Sequence, residues 1–284
     1  MKNEQEMVLI ERIVNDLTEM SKSGNYDFEK IARINKICDE NPHIFEIQFG
    51  DFGENLGMIA ARLGHKWLVS KALDNSVASL QQDWAGKNLG MYAAMEGWED
   101  LVLKALDNPE AIIQQDGVGR TIGMIAIDYK MEKAVLKTLN NPIASLMCDD
   151  CGKNIGMYAV DVYMLSVVLE ALNNHQLCIQ QDDCGKNLGM YIIDRCGEES
   201  SWEVAALKAL DNPEASIQQD ENGWNIGMYA ANKKLKKVIR EALKNPIARE
   251  QREKKGRTIE DIAKLDKQIS IFKEYVLKCD ERYN

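Results

Sequence analysis

Residues Asp83–Gln115 read DWAGKNLGMYAAMEGWEDLVLKALDNPEAIIQQ, and the order of signals within this stretch decides the fold. The opening Asp-x-x-Gly is a turn signal, with Gly86 free to take positive φ. Asn88 is placed to cap a helix, its side chain accepting from the first free N–H groups. Leu89 to Glu96 then predicts a short helix of about two turns, stopped at Gly97. From Trp98 to Leu106 the apolar residues Trp98, Leu101, Val102, Ala105 and Leu106 recur at i, i+3, i+4, i+7 and i+8, the spacing of a longer amphipathic helix. Asn108-Pro109 is expected to end it, because proline disfavours α conformation in the residue before it. The tail Ile112-Ile113-Gln114-Gln115 reads as an extended return strand.

These signals repeat. Gly-Met recurs at Gly57-Met58, Gly90-Met91, Gly123-Met124, Gly156-Met157, Gly189-Met190 and Gly227-Met228, at spacings of 33, 33, 33, 33 and 38 residues. The turn glycines Gly53, Gly86, Gly119, Gly152, Gly185, Gly223 and Gly256 keep the same step. Two such small helices bury too little apolar surface alone, so neighbouring units must stack. The expected fold is an all-α solenoid of seven 33-residue helix-loop-helix units with β-turn tips, preceded by an N-terminal helical cap. The expected divisions are a cap over 1–49, six repeats over 50–252 and a C-terminal capping repeat over 253–284. The cap should hold helices over 4–21 and 28–41, and the last repeat helices near 258–265 and 267–279. A five-residue insertion near 197–201 should form a loop between the two helices of unit five.

The unit resembles the ankyrin repeat in length, element order and landmarks: Asp83, Gly86, Ala93-Ala94, Gly97, Leu101-Val102 and Leu106 fall in step. The T-P-L-H of that family is replaced by Asn88-Leu89-Gly90-Met91, whereas Gly64-His65 and Gly256–Ala263 follow it more closely. The resemblance covers residues 50–284. It implies a non-enzymatic protein–protein interaction module or scaffold that holds a protein partner on its concave face. An alternative it permits is a bacterial effector exported into another cell, acting there by binding a target protein.

The resemblance also implies where a partner would sit: on the second and third turn positions and the last two of each short helix. On the turns these are Phe52, Trp84, Val118, Cys151, Cys184 and Asn222. On the helix ends they are Arg62, Leu63, Met95, Glu96, Asp128, Tyr129, Asp161, Val162, Asp194 and Arg195. They differ from unit to unit while their neighbours repeat, so they are expected to carry no duty in packing. Trp84, Met95 and Tyr129 stand out, because exposed apolar clusters mark interaction sites and aromatic residues anchor interfaces. Tyr92, Tyr158, Tyr191 and Tyr229, with Ile59 and Ile125, are expected to form a half-buried column whose hydroxyls reach water.

Other functions find little support. The net charge of −10 disfavours nucleic acid as a partner. The charge is nevertheless split, with 16 basic against 9 acidic residues over 232–284 and 19 against 36 in the remaining 231. That basic end could dock an acidic partner or the acidic body of another copy, or serve as a solvated cap. The seven cysteines form an odd, scattered set without a disulfide framework. Neither a signal peptide nor an apolar run of about 18 residues is present. The expectation is therefore a monomeric, cytoplasmic protein that needs no membrane and no cofactor, with signal-independent export left open.

Cys148 and Cys151 have the spacing of half a zinc site, and Cys178 and Cys184 lie one unit on. Cys151 and Cys184 share a repeat position, however, which puts their turns about 10 Å apart. That is too far for sulfurs each about 2.3 Å from one metal. The glycines of Gly117–Gly123 miss the dinucleotide-loop spacing, and Gly152-Lys153-Asn154 lacks a phosphate loop's hydroxyl. In Asp220–Gly223 the glycine comes too early for a calcium loop. His43, His65 and His175 have no nucleophile beside them outside the repeat pattern.

Overall fold

Asn88 starts its helix in the way its position implies. Its backbone is extended at φ −91° and ψ 175°, and its side-chain oxygen accepts from Met91 N at 2.9 Å. The amide nitrogen of the same side chain donates to Gln114 Oε1 at 2.7 Å and to Ala111 O at 3.4 Å. A fully buried asparagine is thus satisfied at both ends, which is what burial of a polar group requires. Asn55, Asn154, Asn187 and Asn225 repeat the arrangement. Thr121 keeps only the cap, accepting from Met124 N at 3.3 Å.

Glycine two residues further on sets how closely the repeats nest. A Cβ at Gly90 would lie 2.6 Å from Ile122 Cδ1 and 2.8 Å from Ala105 Cβ, inside van der Waals contact. Gly86, at φ 74°, turns the tip so tightly that a Cβ there would meet Gly117 N at 2.8 Å. Both positions exclude a side chain for reasons of packing.

The computed structural model describes residues 2–195 and 200–264. Cys196, residues 197–199 of the insertion and residues 265–284, with Cys279 and the helix expected at 267–279, lie outside the described residues. The chain divides into two units, Met1–Asp150 and Cys151–Asn284.

The first unit opens with α1 (Lys2–Ser23) and α2 (Phe28–Glu40), the latter capped by Asp27. A small hairpin of β1 (Gln48–Phe49) and β2 (Glu54–Asn55) follows, antiparallel, with Gln48 opposite Asn55 and Phe49 opposite Glu54. Three helix pairs then stack: α3 (Leu56–Arg62) with α4 (Lys66–Ala72), α5 (Leu89–Met95) with α6 (Glu99–Ala105), and α7 (Ile122–Asp128) with α8 (Glu132–Leu139). Helix α1 packs on α3, where Leu17 O lies 2.8 Å from Nε2 of the buried His65. Met58, Met91 and Met124 run through the core with no exposed surface.

The second unit continues with α9 (Ile155–Asp161), α10 (Leu165–Ala171) and α11 (His175–Ile179), then α12 (Leu188–Arg195), α13 (Ser200–Ala209) and α14 (Pro213–Ile217). It ends its described part with α15 (Ile226–Asn232), α16 (Lys236–Ala242), α17 (Pro246–Glu250) and α18 (Ile259–Lys264), the last packed on α15.

Four expectations need correction. The second helix is not longer than the first in the quoted repeat, where α5 and α6 have seven residues each, although α8 exceeds α7 by one residue and α13 exceeds α12 by two. Asn108-Pro109 does not end α6, which stops at Ala105, but begins the next turn of helix. Asn108 Oδ1 accepts from Glu110 N and Ala111 N, and a proline just inside a helix start sacrifices no hydrogen bond. The tail is accordingly a 3-10 turn over Ala111–Ile113, with Gln114 extended and Gln115 in an antiparallel bridge with Thr121, and the turn becomes a five-residue helix at α11, α14 and α17. The insertion is not wholly loop either, for Ser200 and Ser201 open α13.

Candidate protein-binding site

The turn tips are held to one another through their backbones. In the first unit Trp84 N donates to Phe52 O at 3.0 Å, Gly117 N to Ala85 O at 2.7 Å and Asp150 N to Val118 O at 3.1 Å. In the second, Asp183 N reaches Cys151 O, Glu221 N reaches Cys184 O and Lys254 N reaches Asn222 O. A glutamine amide reinforces five of these six steps, from Gln48, Gln82, Gln115, Gln181 and Gln219, and Cys148 holds that position in the other. Gln82, for example, donates to Gly86 O and Gln115 O, and Gln115 to Gly119 O and Cys148 O. With the backbone so occupied, the tip side chains point outward. Phe52 is 66% exposed, Trp84 77% and Val118 53%.

Phe52, Arg62 and Trp84 come together around a hollow of about 390 Å³, which Glu54, Asp83, Ala85, Lys87 and Tyr92 complete. Glu54 is buried and holds Arg62 in a two-pronged pair, Nη2 to Oε2 at 3.0 Å and Nε to Oε1 at 3.2 Å. That bond keeps the guanidinium charged beyond its usual range. The Tyr92 hydroxyl lies 2.8 Å from Asp83 Oδ2 and 3.1 Å from Glu54 Oε1, so one proton serves two carboxylates. Burial, then the bond to Asp83, pushes its pKa up.

At Tyr92, Tyr191 and Tyr229 the hydroxyl is therefore bonded to a carboxylate, where water was the expected partner. Tyr191 and Tyr229 bond the turn carboxylates Asp182 and Asp220, each at 2.7 Å. Where the column carries isoleucine, an arginine takes over. Asp116 is held by Arg120 in the repeat of Ile125, and Glu253 by Arg257 in the repeat of Ile262.

In the second unit the helix ends are engaged with one another. Lys153 Nζ lies 2.8 Å from Asp161 and over the rings of Tyr158 and Tyr191, at 5.6 and 5.2 Å. Lys186 lies 2.7 Å from Asp194 and over Tyr191 and Tyr229, at 5.9 and 5.1 Å. Arg195 pairs with Asp161 at 3.0 Å, and Lys233 donates to Asp194 O at 2.9 Å. With Arg62 on Glu54 and Asp128 at 3.8 Å from Arg120, five of the expected partner-facing residues have structural ties of their own. The expectation that these positions carry no such duty fails for them. It fits Met95, Glu96 and Tyr129, which are exposed, while Leu63 and Val162 are half-buried. Sequence reasoning missed Glu54, Lys87 and Tyr92; for Lys87 the available signal was the basic residue four after five of the six turn acids.

The second helices close on themselves too. Lys71 reaches Asp39, Lys104 reaches Asp74 and Lys137 reaches Asp107, at 2.6, 2.8 and 2.5 Å. Of the basic end, Lys237 pairs with Glu203 at 2.7 Å. Cys151 and Cys184 are exposed, whereas burial pushes the Cys178 thiol up to about 11. Among the described residues no group of three or more His, Cys, Asp or Glu is arranged to hold a metal ion, and no helix is long and apolar enough to cross a membrane.

The structure superposes on an ankyrin repeat domain from Acinetobacter baumannii AYE with a TM-score of 0.58 at 13% identity, over 67% of this chain and 97% of that one. The chain has the ankyrin-repeat fold. A second solved ankyrin repeat protein matches with a TM-score of 0.55 at 16% identity, over 66% of this chain and 96% of its own. No family model and no curated protein matches the sequence. The ankyrin-repeat fold is thus built here with Asn-Leu-Gly-Met at the head of the first helix: asparagine supplies the cap, and glycine the room for the next repeat.

Proposed function

We propose that this chain binds a protein partner, without catalysis of its own, through the turn tips and short-helix ends of its first unit. The observation that carries the reading is the row of exposed Phe52, Trp84 and Val118 on tips whose backbones are hydrogen-bonded from repeat to repeat. Large apolar side chains on a rigid support lose little entropy on binding and make strong anchors. Met95 and Tyr129, 39% and 47% exposed, extend the row onto the ends of α5 and α7.

The test is affinity capture from cells with the parent chain and with Trp84→Ala combined with Tyr129→Ala. The expected result is unchanged melting and partner binding at least tenfold weaker, about 1.4 kcal/mol. A double variant that unfolds would make these residues core. One that binds normally would move the partner to another face.

A further inference from the structure

The residue four positions after the turn acid is basic in most repeats, and eight positions beyond it three repeats carry an aspartate. Arg120 faces Asp128, Lys153 faces Asp161 and Lys186 faces Asp194, each within ion-pair range. The second repeat breaks the rule, because its pair is Lys87 and Met95. The Asp83 carboxylate is already occupied, Oδ1 by Lys87 N at 2.7 Å and Oδ2 by the Tyr92 hydroxyl. Among the described residues, no carboxylate oxygen lies within 4.0 Å of Lys87 Nζ. The hollow beside Trp84 therefore holds a cation whose usual partner has been removed from the repeat.

Glu54 is ion-paired with Arg62, and the Asp83 oxygens accept from Lys87 N and the Tyr92 hydroxyl, so Lys87 is the lining cation whose ammonium has no carboxylate in contact. Its apolar wall is ready-made. The Trp84 ring lies over Gly53 so closely that a Cβ there would sit 2.6 Å from Cδ1, and Phe52 is exposed beside it. A space of about 390 Å³ suits one or two side chains.

We infer that the hollow takes an acidic side chain of a partner segment, its carboxylate on Lys87, with a neighbouring apolar side chain against Phe52 and Trp84. The inference rests on the binding face proposed above and names what that face recognises. An ion pair at the edge of an apolar contact fixes register as well as adding affinity.

The test selects binders to the full chain from a random peptide library displayed on phage. Their affinities are then compared on the parent, Lys87→Gln and Met95→Asp, the last restoring the repeat's own carboxylate. Selected peptides should carry an Asp or Glu next to an aromatic or aliphatic residue and weaken at least tenfold on both variants. Circular dichroism melting of each variant should match the parent. Peptides without an acid, peptides indifferent to Lys87→Gln and Met95→Asp, or no selected peptide at all would overturn the inference. Peptides that still weaken on the Trp84→Ala, Tyr129→Ala variant would leave the broader face standing in the first two cases. Peptides that bind that variant as well as the parent would count against the face itself.

Discussion

Lys87 and Lys153 occupy the same place in their repeats, yet their surroundings are opposite. Lys153 lies between two tyrosine rings with its ammonium on Asp161, and Asp161 in turn holds Arg195. Lys87 has methionine where that aspartate would be, and it borders a hollow walled by Phe52 and Trp84. One scaffold thus supports a self-satisfied polar row in the second unit and an open, apolar one in the first. Surface charges that have already found partners offer a visiting protein little, because new contacts must repay the old ones. Partner recognition is expected where the repeat's own pairing lapses.

The largest effect that sharpens this contrast concerns the tyrosines. Tyr92 is buried between two carboxylates, whereas the half-buried Tyr191 serves one. Tyr92→Phe should cost about 1–3 kcal/mol in chemical denaturation, and Tyr191→Phe about 0.5–1.5 kcal/mol. Both hydroxyls, and that of Tyr229, have folded pKa values raised above the ordinary value by burial first and then by their aspartates. Their contribution is complete below the unfolded value near pH 10 and is lost as pH rises beyond it toward the folded value. Stability should therefore fall above about pH 10, and the triple Tyr→Phe chain should show a shallower fall. Equal costs at Tyr92 and Tyr191 would break the comparison at its base.

A smaller effect separates the two lysine sites. Asp161→Asn removes a carboxylate shared by Lys153 and Arg195 and should cost about 0.5–1 kcal/mol, less at high salt. Lys87→Gln should stay within about 0.5 kcal/mol of the parent, because no internal ion pair is lost. Urea melts at low and high salt read both. A salt-dependent loss at Lys87 would mean that it has a partner after all.

Much of the fold was legible because its signals are local and repeated. The Gly-Met register, the capping Asn88 and the positive-φ Gly86 each follow from one residue's own chemistry. What misled was ambiguity within a turn. Asn108-Pro109 can stop a helix or start one, and Ile112-Ile113 suits a strand as well as a 3-10 turn. The exposed tips Phe52, Trp84 and Val118 could be read from the register together with the resemblance to the ankyrin repeat. The ties of Arg62, Asp161 and Arg195 could not, since they join residues 8 to 34 positions apart across turn and helix. Nor could the shared proton of Tyr92, whose partners lie 9 and 38 residues back.

The central claim is that a partner sits on the first unit's tips and helix ends, and hydrogen–deuterium exchange of the complex reads this face by face. The account predicts new protection at residues 50–53, 83–96 and 116–129, with the α4, α6 and α8 helices and residues 161–195 unchanged. Protection confined to those helices or to 161–195, with the tips exchanging as in the free chain, would contradict it.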